Sequence, residues 1–245
     1  MIDCISVENM RQSDAYTIEN FVPSLELMYR AAYGVFESVD WHGKIAIIAG
    51  SGNNGGDGYA LACILKDQGY DCSVYFLGSR LTADSLHYAQ IAKGMGVKIL
   101  PFDLSCLCGW DIVVDCLLGT GFKGNVRADY RTAIEIINAS GAFIVSVDIN
   151  SGMNGDTGET EIAVRSDLTV TIGYVKNGLI TANAGTYMKR LVCVDIGIIL
   201  AGSENYICNH EEWRNFCHLE SIDTVHTALI HDGRTYFKSP EWLKV

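Results

Sequence analysis

The chain has 245 residues, of which 49% are hydrophobic and 19% are charged, so it is long and apolar enough to bury one sizeable core. Its formal charge of −11 at pH 7 excludes the basic field that nucleic acids and anionic membranes attract, and we predict neither partner. We also expect no leader and no membrane span, and an odd set of nine cysteines scattered through apolar runs indicates a reducing compartment, which predicts a cytoplasmic protein.

Strand-like and helix-like segments alternate along most of the chain. Two short helices come first, separated at Pro23, and Leu25, Met28, Ala32 and Val35 give the second helix an apolar face. Strands are then predicted at 44–49, 72–77, 97–100, 111–114, 143–147, 168–172 and 191–194, and helices at 58–68, 82–93 and 129–139. Because the strands are rich in Val and Ile without polar alternation, they favour a mostly parallel sheet with helices on both faces. The predicted fold class is α/β, a Rossmann-like three-layer αβα sandwich.

The composition changes after Gly202. Residues 203–245 hold four of the six histidines and two of the four tryptophans, and they show no alternation of strands and helices. We therefore predict one domain over 1–202 and an extension of unknown role over 203–245. Structural zinc is a weak alternative, because the neighbouring cysteines and histidines do not follow a familiar zinc spacing. These residues are Cys106, Cys108, Cys208, His210, Cys217 and His218.

A glycine-rich stretch follows the first predicted strand of the sheet. Gly50, Gly52 and Gly55 fit the dinucleotide-binding pattern G-x-G-x-x-G, but a carboxylate follows at Asp57. Backbone N–H groups in such a loop point at an anion, and a carboxylate opposes that anion unless it serves a cation or a proton transfer. An ordinary strand-to-helix turn is the alternative. The functional interpretation is a loop that binds a nucleotide in order to act on it.

Polar side chains collect at three predicted strand ends. They are Asn53, Asn54 and Asp57 after the first strand, Asp115 at a later one, and Asp148 and Ser151 at a third. In a parallel sheet these ends share one edge, where open α/β sheets bind their ligands. Turn or capping chemistry is the alternative for each aspartate taken singly. Asn54, Asp115 and Ser151 are hard oxygen donors, which suit a hard cation.

A dehydrogenase and an ATPase are the obvious rivals for a glycine-rich loop. The second strand of a dehydrogenase domain usually ends in an acid that binds the ribose, whereas this one ends in Gly78. Arg80 is left with two interpretations, a contact to a 2′-phosphate or a solvated position. No Gly-Lys-Ser/Thr follows the loop, which excludes a Walker-type ATPase.

Five segments in order resemble one family. "GSGNNGGDGYALA", "VVDCLLGTGFKGNVR", "VSVDINSGMNGDTG", "VTIGYVKNGL" and "VDIGI" are similar to the NAD(P)H-hydrate epimerases, also called YjeF N-terminal domains, over roughly residues 9–199. The resemblance implies a Rossmann-like domain that interconverts the R and S epimers of hydrated NADH or NADPH (NADHX and NADPHX). These damaged cofactors carry a hydroxyl at C6 of the nicotinamide ring. The dinucleotide is then a substrate and not a hydride carrier.

The resemblance also assigns residues. It implies substrate contacts at Asn53, Asn54, Gly55, Gly56, Asp57, Gly119, Thr120, Gly121, Phe122, Lys123, Gly124, Asn125 and Asp148. It implies potassium ligands at Asn54, Asp115 and Ser151. Our hypothesis is that Asp148 shuttles the proton as the C6 hydroxyl leaves and water returns. Lys123 or the loop amides are expected to contact phosphate, and Lys176 is a weaker choice for that contact.

The chain departs from the family pattern at two places. Asn150 stands where members usually have proline, which predicts looser placement of Asp148 and Ser151. Residues 29–32 read Tyr-Arg-Ala-Ala where members commonly have Glu-Asn-Ala-Gly. This difference puts in doubt whether that helix contributes to the pocket or to a homodimer interface. The extension is too short for a second enzyme domain, so we expect the NAD(P)H-hydrate dehydratase to be a separate protein. A catalytically silent binding module and an NAD-dependent oxidoreductase are the alternative functions.

Overall fold

The computed structural model describes residues 2–103, 109–201, 206–208, 229–231 and 234–236. Its strands in chain order are β1 (Ile2–Ile5), β2 (Lys44–Ala49), β3 (Asp71–Phe76), β4 (Lys98–Pro101), β5 (Ile112–Cys116), β6 (Phe143–Val147), β7 (Leu168–Ile172), β8 (Val175–Lys176), β9 (Leu191–Val194), β10 (Tyr206–Cys208), β11 (Leu229–His231) and β12 (Arg234–Tyr236). The helices are α1 (Val7–Asn20), α2 (Ser24–Ser38), α3 (Asn53–Asp67), α4 (Ala83–Gly94) and α5 (Ala128–Asn138).

Seven strands form one parallel sheet in the order β4-β3-β2-β5-β6-β7-β9. The chain moves outward from β2 through β3 to β4 and then returns to place β5 on the other side of β2. This reversal makes the carboxyl ends of β2 and β5 a topological switch point, where such sheets bind ligands. The predicted mostly parallel α/β sandwich is confirmed.

Alternating residues of each central strand face two separate helical layers. Ile45 and Ile47 belong to the core that β2 shares with α2, α3 and α4, whereas Ala46 and Ile48 pack on the side of α5. Both faces are therefore apolar, which explains why these strands show no polar alternation. The Ser6 and Thr82 hydroxyls accept hydrogen bonds at the starts of α1 and α4, and α2 begins after Pro23.

A small second sheet has the order β10-β1-β8. β1 pairs parallel with β8 and antiparallel with β10, so three residues of the predicted extension lie beside the N-terminal strand. The sequence interpretation did not include β1. β11 and β12 form a hairpin within the extension. The division at 202 stays a prediction, and the rest of the extension, with Cys106 and Cys108, lies outside the described residues.

Several predicted boundaries were wrong. The first two helices are not short, having 14 and 15 residues, and β5 extends to Cys116. The largest error concerns α3, which begins at Asn53 and not at residue 58, so the glycine-rich segment is largely helical. None of the helices in the described part of the chain is long and apolar enough to cross a membrane.

Candidate active site

A cavity of about 780 Å³ opens at the switch point. Of the predicted substrate residues, those that line it are Asn53, Asn54, Asp57, Gly119, Thr120, Gly121, Phe122, Lys123, Asn125 and Asp148. Gly55, Gly56 and Gly124 do not line the cavity. Leu27, Met28 and Ala31 form its α2 wall, so the altered segment at 29–32 still contributes a pocket residue.

Asp148 occupies a strained position directly after β6. Its φ of 68° makes it the one residue other than glycine with positive φ in the described part of the chain. This conformation costs about 1–2 kcal/mol, and such strain is concentrated at functional sites. The backbone stays anchored, because Asp148 N donates to Val170 O at 2.8 Å. The whole Asp148 residue is 8% exposed. Its carboxylate Oδ2 accepts a hydrogen bond from Thr120 N at 3.2 Å.

Lys176 is the partner of Asp148 and lies almost fully buried at 1% exposure. Its Nζ donates to Asp148 Oδ1 at 2.5 Å, to Thr171 Oγ1 at 3.1 Å and to Ile172 O at 2.7 Å. All three ammonium protons therefore have acceptors within the protein. This geometry corrects the interpretation of Lys176 as a weak phosphate contact, since the ammonium is committed to Asp148. The sequence signal for a role of Lys176 in the site was its position in "VKNGL", one of the segments that resemble the family.

Three further carboxyl groups line the same cavity, those of Asp14 in α1, Asp57 in α3 and Asp84 in α4. Burial raises the pKa of Asp57 well above its usual range, and the negative charges of Asp148 and Asp14 add to this effect. Burial also raises the pKa of Asp14, against the attraction of Lys176. Sequence reasoning missed Asp14, because nothing in α1 marks which of its polar residues faces the sheet edge.

Positive side chains also line the cavity. Arg11 of α1, Lys123 after β5 and Arg127 before α5 contribute to it. The Arg127 guanidinium lies 4.8 Å from the centre of the Tyr130 ring and 3.8 Å from the Asp129 carboxylate. With Lys176, four arginine or lysine side chains thus accompany the four carboxyl groups of the cavity. Such a cavity suits a ligand that carries both an anionic and a cationic part.

Asp115 lies below the cavity at the end of β5 and is fully buried. Ser151 Oγ donates to its Oδ1 at 2.5 Å, and Ser151 N and Ser146 Oγ donate to its Oδ2 at 2.9 and 3.0 Å. Burial raises the pKa of Asp115, and the hydrogen bonds from Ser151 oppose that effect. The hydrogen-bond donors to this carboxylate are neutral, so a cation beside it would offset the cost of its burial.

Asn54 lies on the same side of the β5 loop as Ser151. Its Nδ2 donates to Leu118 O at 3.0 Å, and Leu118 N donates to Ser151 Oγ at 2.8 Å. This leaves Asn54 Oδ1 buried without a hydrogen-bond partner among the described residues. An orphaned buried oxygen, linked through Leu118 and Ser151 to a buried carboxylate, fits a cation that prefers oxygen ligands, such as potassium. Within the described ranges, no group of three or more His, Cys, Asp or Glu residues is arranged to hold a metal ion.

Asn150 is tightly held, contrary to the expectation of looseness. It is fully buried, and its Nδ2 donates to Val164 O at 2.9 Å, to Ser166 Oγ at 3.0 Å and to Tyr187 O at 3.1 Å. Its Oδ1 accepts from Thr169 Oγ1 at 2.7 Å. The side chain thus ties the segment between Asp148 and Ser151 to the next crossover, which replaces the restraint that proline would give.

Comparison with known proteins matches residues 24–178 to the family model described as "YjeF-related protein N-terminus". The chain belongs to this family. Relatives named NAD(P)H-hydrate epimerase include one from Limosilactobacillus fermentum, 37% identical over 78% of this chain and 95% of the relative. Another, from Lentilactobacillus buchneri, is 36% identical over 81% of this chain and 96% of its own length.

Other relatives are longer proteins. A bifunctional NAD(P)H-hydrate repair enzyme from Archaeoglobus fulgidus is 40% identical over 70% of this chain, but the match covers only 37% of that enzyme. A solved structure of a yeast protein, ynu0, is similar with a TM-score of 0.63 and 24% identity, over 71% of this chain and 82% of that one. The structural likeness confirms the fold, and the sequence relatives confirm the family resemblance.

Proposed function

We propose that this protein epimerises C6 of NADHX and NADPHX. The observation that carries the proposal is the strained Asp148 in a buried ion pair with Lys176, at the base of a cavity formed by the family's motifs. The names of the similar epimerases support the same activity. A silent binding module does not need a charged pair kept in an apolar surrounding at a cost in desolvation.

Epimerisation breaks and remakes the bond between C6 and its hydroxyl oxygen. The lone pair of the ring nitrogen expels the hydroxyl, which takes a proton and leaves as water, and the resulting iminium is planar and cationic. Water then adds to C6 and loses a proton. We assign Asp148 to proton transfer at this oxygen, with Lys176 as the residue that holds its carboxylate in place. The carboxyl groups of Asp14, Asp57 and Asp148 favour the cationic iminium electrostatically.

The anionic part of the substrate is expected to lie along the positive side chains. Arg11, Lys123 and Arg127 line the cavity, and the N-terminus of α3 offers free backbone N–H groups at Asn53 and Asn54. This arrangement supports binding of the diphosphate while the ring reaches Asp148. Gly78 at the end of β3 leaves no acid for the ribose of a hydride-carrying cofactor, which disfavours an oxidoreductase.

We assign potassium to the oxygens of Asn54, Asp115 and Ser151. The support is the orphaned Asn54 Oδ1 and the fully buried Asp115, which are connected through Leu118 and Ser151. A bound potassium ion would neutralise Asp115 and tighten the β5 loop from which Gly119 and Thr120 reach the cavity. The five described free cysteines agree with the cytoplasmic location that we propose. An NAD(P)H-hydrate dehydratase is the expected functional partner, and a homodimer remains part of the proposal.

Chromatography of purified R-NADHX tests the function. Wild-type protein in potassium buffer is expected to equilibrate the R and S epimers at least about 100-fold faster than buffer, and Asp148→Asn is expected to lose that acceleration. Circular dichroism checks that the variant is folded. A wild type no faster than buffer would refute the epimerase proposal and favour the silent binding module.

A further inference from the structure

Asp57 lines the cavity, but proton transfer by Asp148 alone leaves its carboxyl group without a role. We propose that Asp57 is a second catalytic acid–base residue, which acts at the C6 hydroxyl on the ring face opposite Asp148. The inference rests on the epimerase function proposed above and deepens it, because it assigns one carboxyl group to each face of the nicotinamide ring.

Asp148 is too firmly held to serve both faces. Its Oδ1 is bound to Lys176, its Oδ2 accepts from Thr120 N, and its backbone is fixed to Val170. The hydroxyl leaves from one face of the ring and water adds on the other. A carboxylate with both oxygens engaged on one wall does not follow the oxygen across the ring, so a second proton carrier is needed on another wall.

Asp57 lies on a different wall, in the second turn of α3. It is half-buried, lines the same cavity, and makes no hydrogen bond or ion pair with the described residues. Its carboxyl group is thus available to a ligand. An unpaired acid at the start of a helix beside a dinucleotide site has no structural explanation in capping, since the N-cap residue of α3 is Gly52.

Gly119 lies where these two walls approach each other. A Cβ atom at Gly119 would lie 3.0 Å from Asp148 Oδ2 and 3.2 Å from Asn54 Cβ, so the glycine stands between the Asp148 carboxylate and α3. Asp148 and Asp57 therefore reach the cavity from two different elements, the end of β6 and α3.

The charges favour Asp57 over Asp14 for this role. The strongest charge effect on Asp57 comes from Asp148, whereas the strongest on Asp14 comes from Lys176. Burial and these like charges keep the Asp57 pKa raised, so it favours the protonated acid, while Asp148 is ion-paired with a cation. A carboxyl group that favours its protonated form is suited to act as the acid.

The reaction balances without another reactant. Protonated Asp57 gives its proton to the C6 hydroxyl, the C6–O bond breaks with both electrons on oxygen, and the nitrogen lone pair forms the C=N bond of the iminium. Water attacks C6 from the opposite face, and Asp148 takes the proton released. Proton exchange with solvent then restores both carboxyl groups. The reverse reaction exchanges the two roles.

Exchange of the C6 hydroxyl in oxygen-18 water separates the two faces. R- and S-NADHX are incubated separately with each variant, and mass spectrometry follows label uptake while chromatography follows epimerisation. Asp57→Asn is expected to lower epimerisation at least about 100-fold but to keep label exchange in one epimer, through Asp148. Asp148→Asn is expected to lose epimerisation equally and to keep exchange in the other epimer. If the unpaired lysine prevents the single variant Asp148→Asn from folding, the double variant Asp148→Asn, Lys176→Met is used in its place.

The control is Asp67→Asn, which removes a carboxylate from the exposed last residue of α3 and is expected to match wild type. Epimerisation by Asp57→Asn within about threefold of wild type would overturn the inference. The inference would also be overturned if a variant lost label exchange in both epimers, or if both variants kept label exchange in the same epimer. A wild type that does not exceed buffer would instead refute the proposed function, so the two failures are distinguishable.

Discussion

Lys176 and Asp148 are unequal partners in their ion pair. The Lys176 side chain is 1% exposed, whereas that of Asp148 is 11% exposed and reaches the cavity. Removing the carboxylate leaves a fully buried ammonium with only Thr171 and Ile172 as neutral acceptors. Removing the lysine leaves a carboxylate that still has Thr120 N and water from the cavity. Breaking a buried pair costs about 3–5 kcal/mol, with the larger loss expected for the more buried charge left behind.

We therefore predict that Asp148→Asn lowers the free energy of unfolding more than Lys176→Met does. The double variant is expected to lose less than the sum of the two, because neither charge is then left alone. Urea denaturation of the four proteins measures the cycle. Equal losses, or a larger loss for Lys176→Met, would contradict this account of the pair.

Asn150 is a second residue whose side chain holds the site. Asn150→Ala removes the donor shared by Val164 O, Ser166 Oγ and Tyr187 O, and we predict a loss of about 2–4 kcal/mol in the free energy of unfolding. The matched control is Asn20→Ala at the exposed end of α1, expected to change stability by less than about 0.5 kcal/mol. Similar losses in both variants, measured by urea denaturation, would argue against the restraint attributed to Asn150.

These residues show what sequence reasoning can reach. The location of Asp115 and Asp148 at one sheet edge could be predicted, because a carboxylate at a strand end in a parallel sheet has a defined position. Lys176 was undervalued because most lysines are solvated, and its burial depends on Asp148, which is 28 positions away. Asn150 was misjudged because its four hydrogen-bond partners lie in the connection before β7, in β7 itself and in the segment before β9, and no local pattern predicts those contacts.

At the scale of elements, α3 shows why glycines were mistaken for a loop. Glycine is a poor helix former and usually indicates a turn, but here a Cβ at Gly55 would lie only 2.1 Å from Gly50 O. A Cβ at Gly56 would lie 2.5 Å from Met28 Cε. The glycines therefore allow the helix to approach the end of β2 and α2 closely. This tertiary requirement outweighs local propensity and moves the start of the helix to Asn53.

Alanine substitution distinguishes packing from propensity. We predict that Gly55→Ala destabilises the protein by about 2 kcal/mol or more, since a backbone oxygen blocks the new methyl group. Gly94→Ala, at the end of α4, meets nothing within 4 Å and is expected to stabilise by up to about 1 kcal/mol. Thermal and urea unfolding compare the two. A neutral or stabilising Gly55→Ala would mean that the start of α3 tolerates a shift.

At the scale of the whole molecule, the order of helices and strands could be predicted from the sequence, but the pairing of distant strands could not. Val- and Ile-rich strands separated by helices predict a parallel sheet wherever both faces are covered. β1 escaped prediction because it has four residues and pairs with β8, about 170 positions later. The cavity combines residues of all five helices with strand ends of the large sheet, so its full composition follows from the assembled fold and not from any one segment.

Potassium provides a test of that assembly, because Asn54, Asp115 and Ser151 come together only in the folded chain. A ligand that binds the folded state alone stabilises by about 2.7 kcal/mol at one hundred times its Kd. We predict that Tm rises with potassium chloride more than with lithium chloride at equal ionic strength. Asn54→Ala removes the orphaned oxygen and is expected to abolish the difference, whereas Asn20→Ala keeps it. Equal responses of the wild type to both salts would mean that ionic strength acts alone, since a specific site must distinguish the two cations.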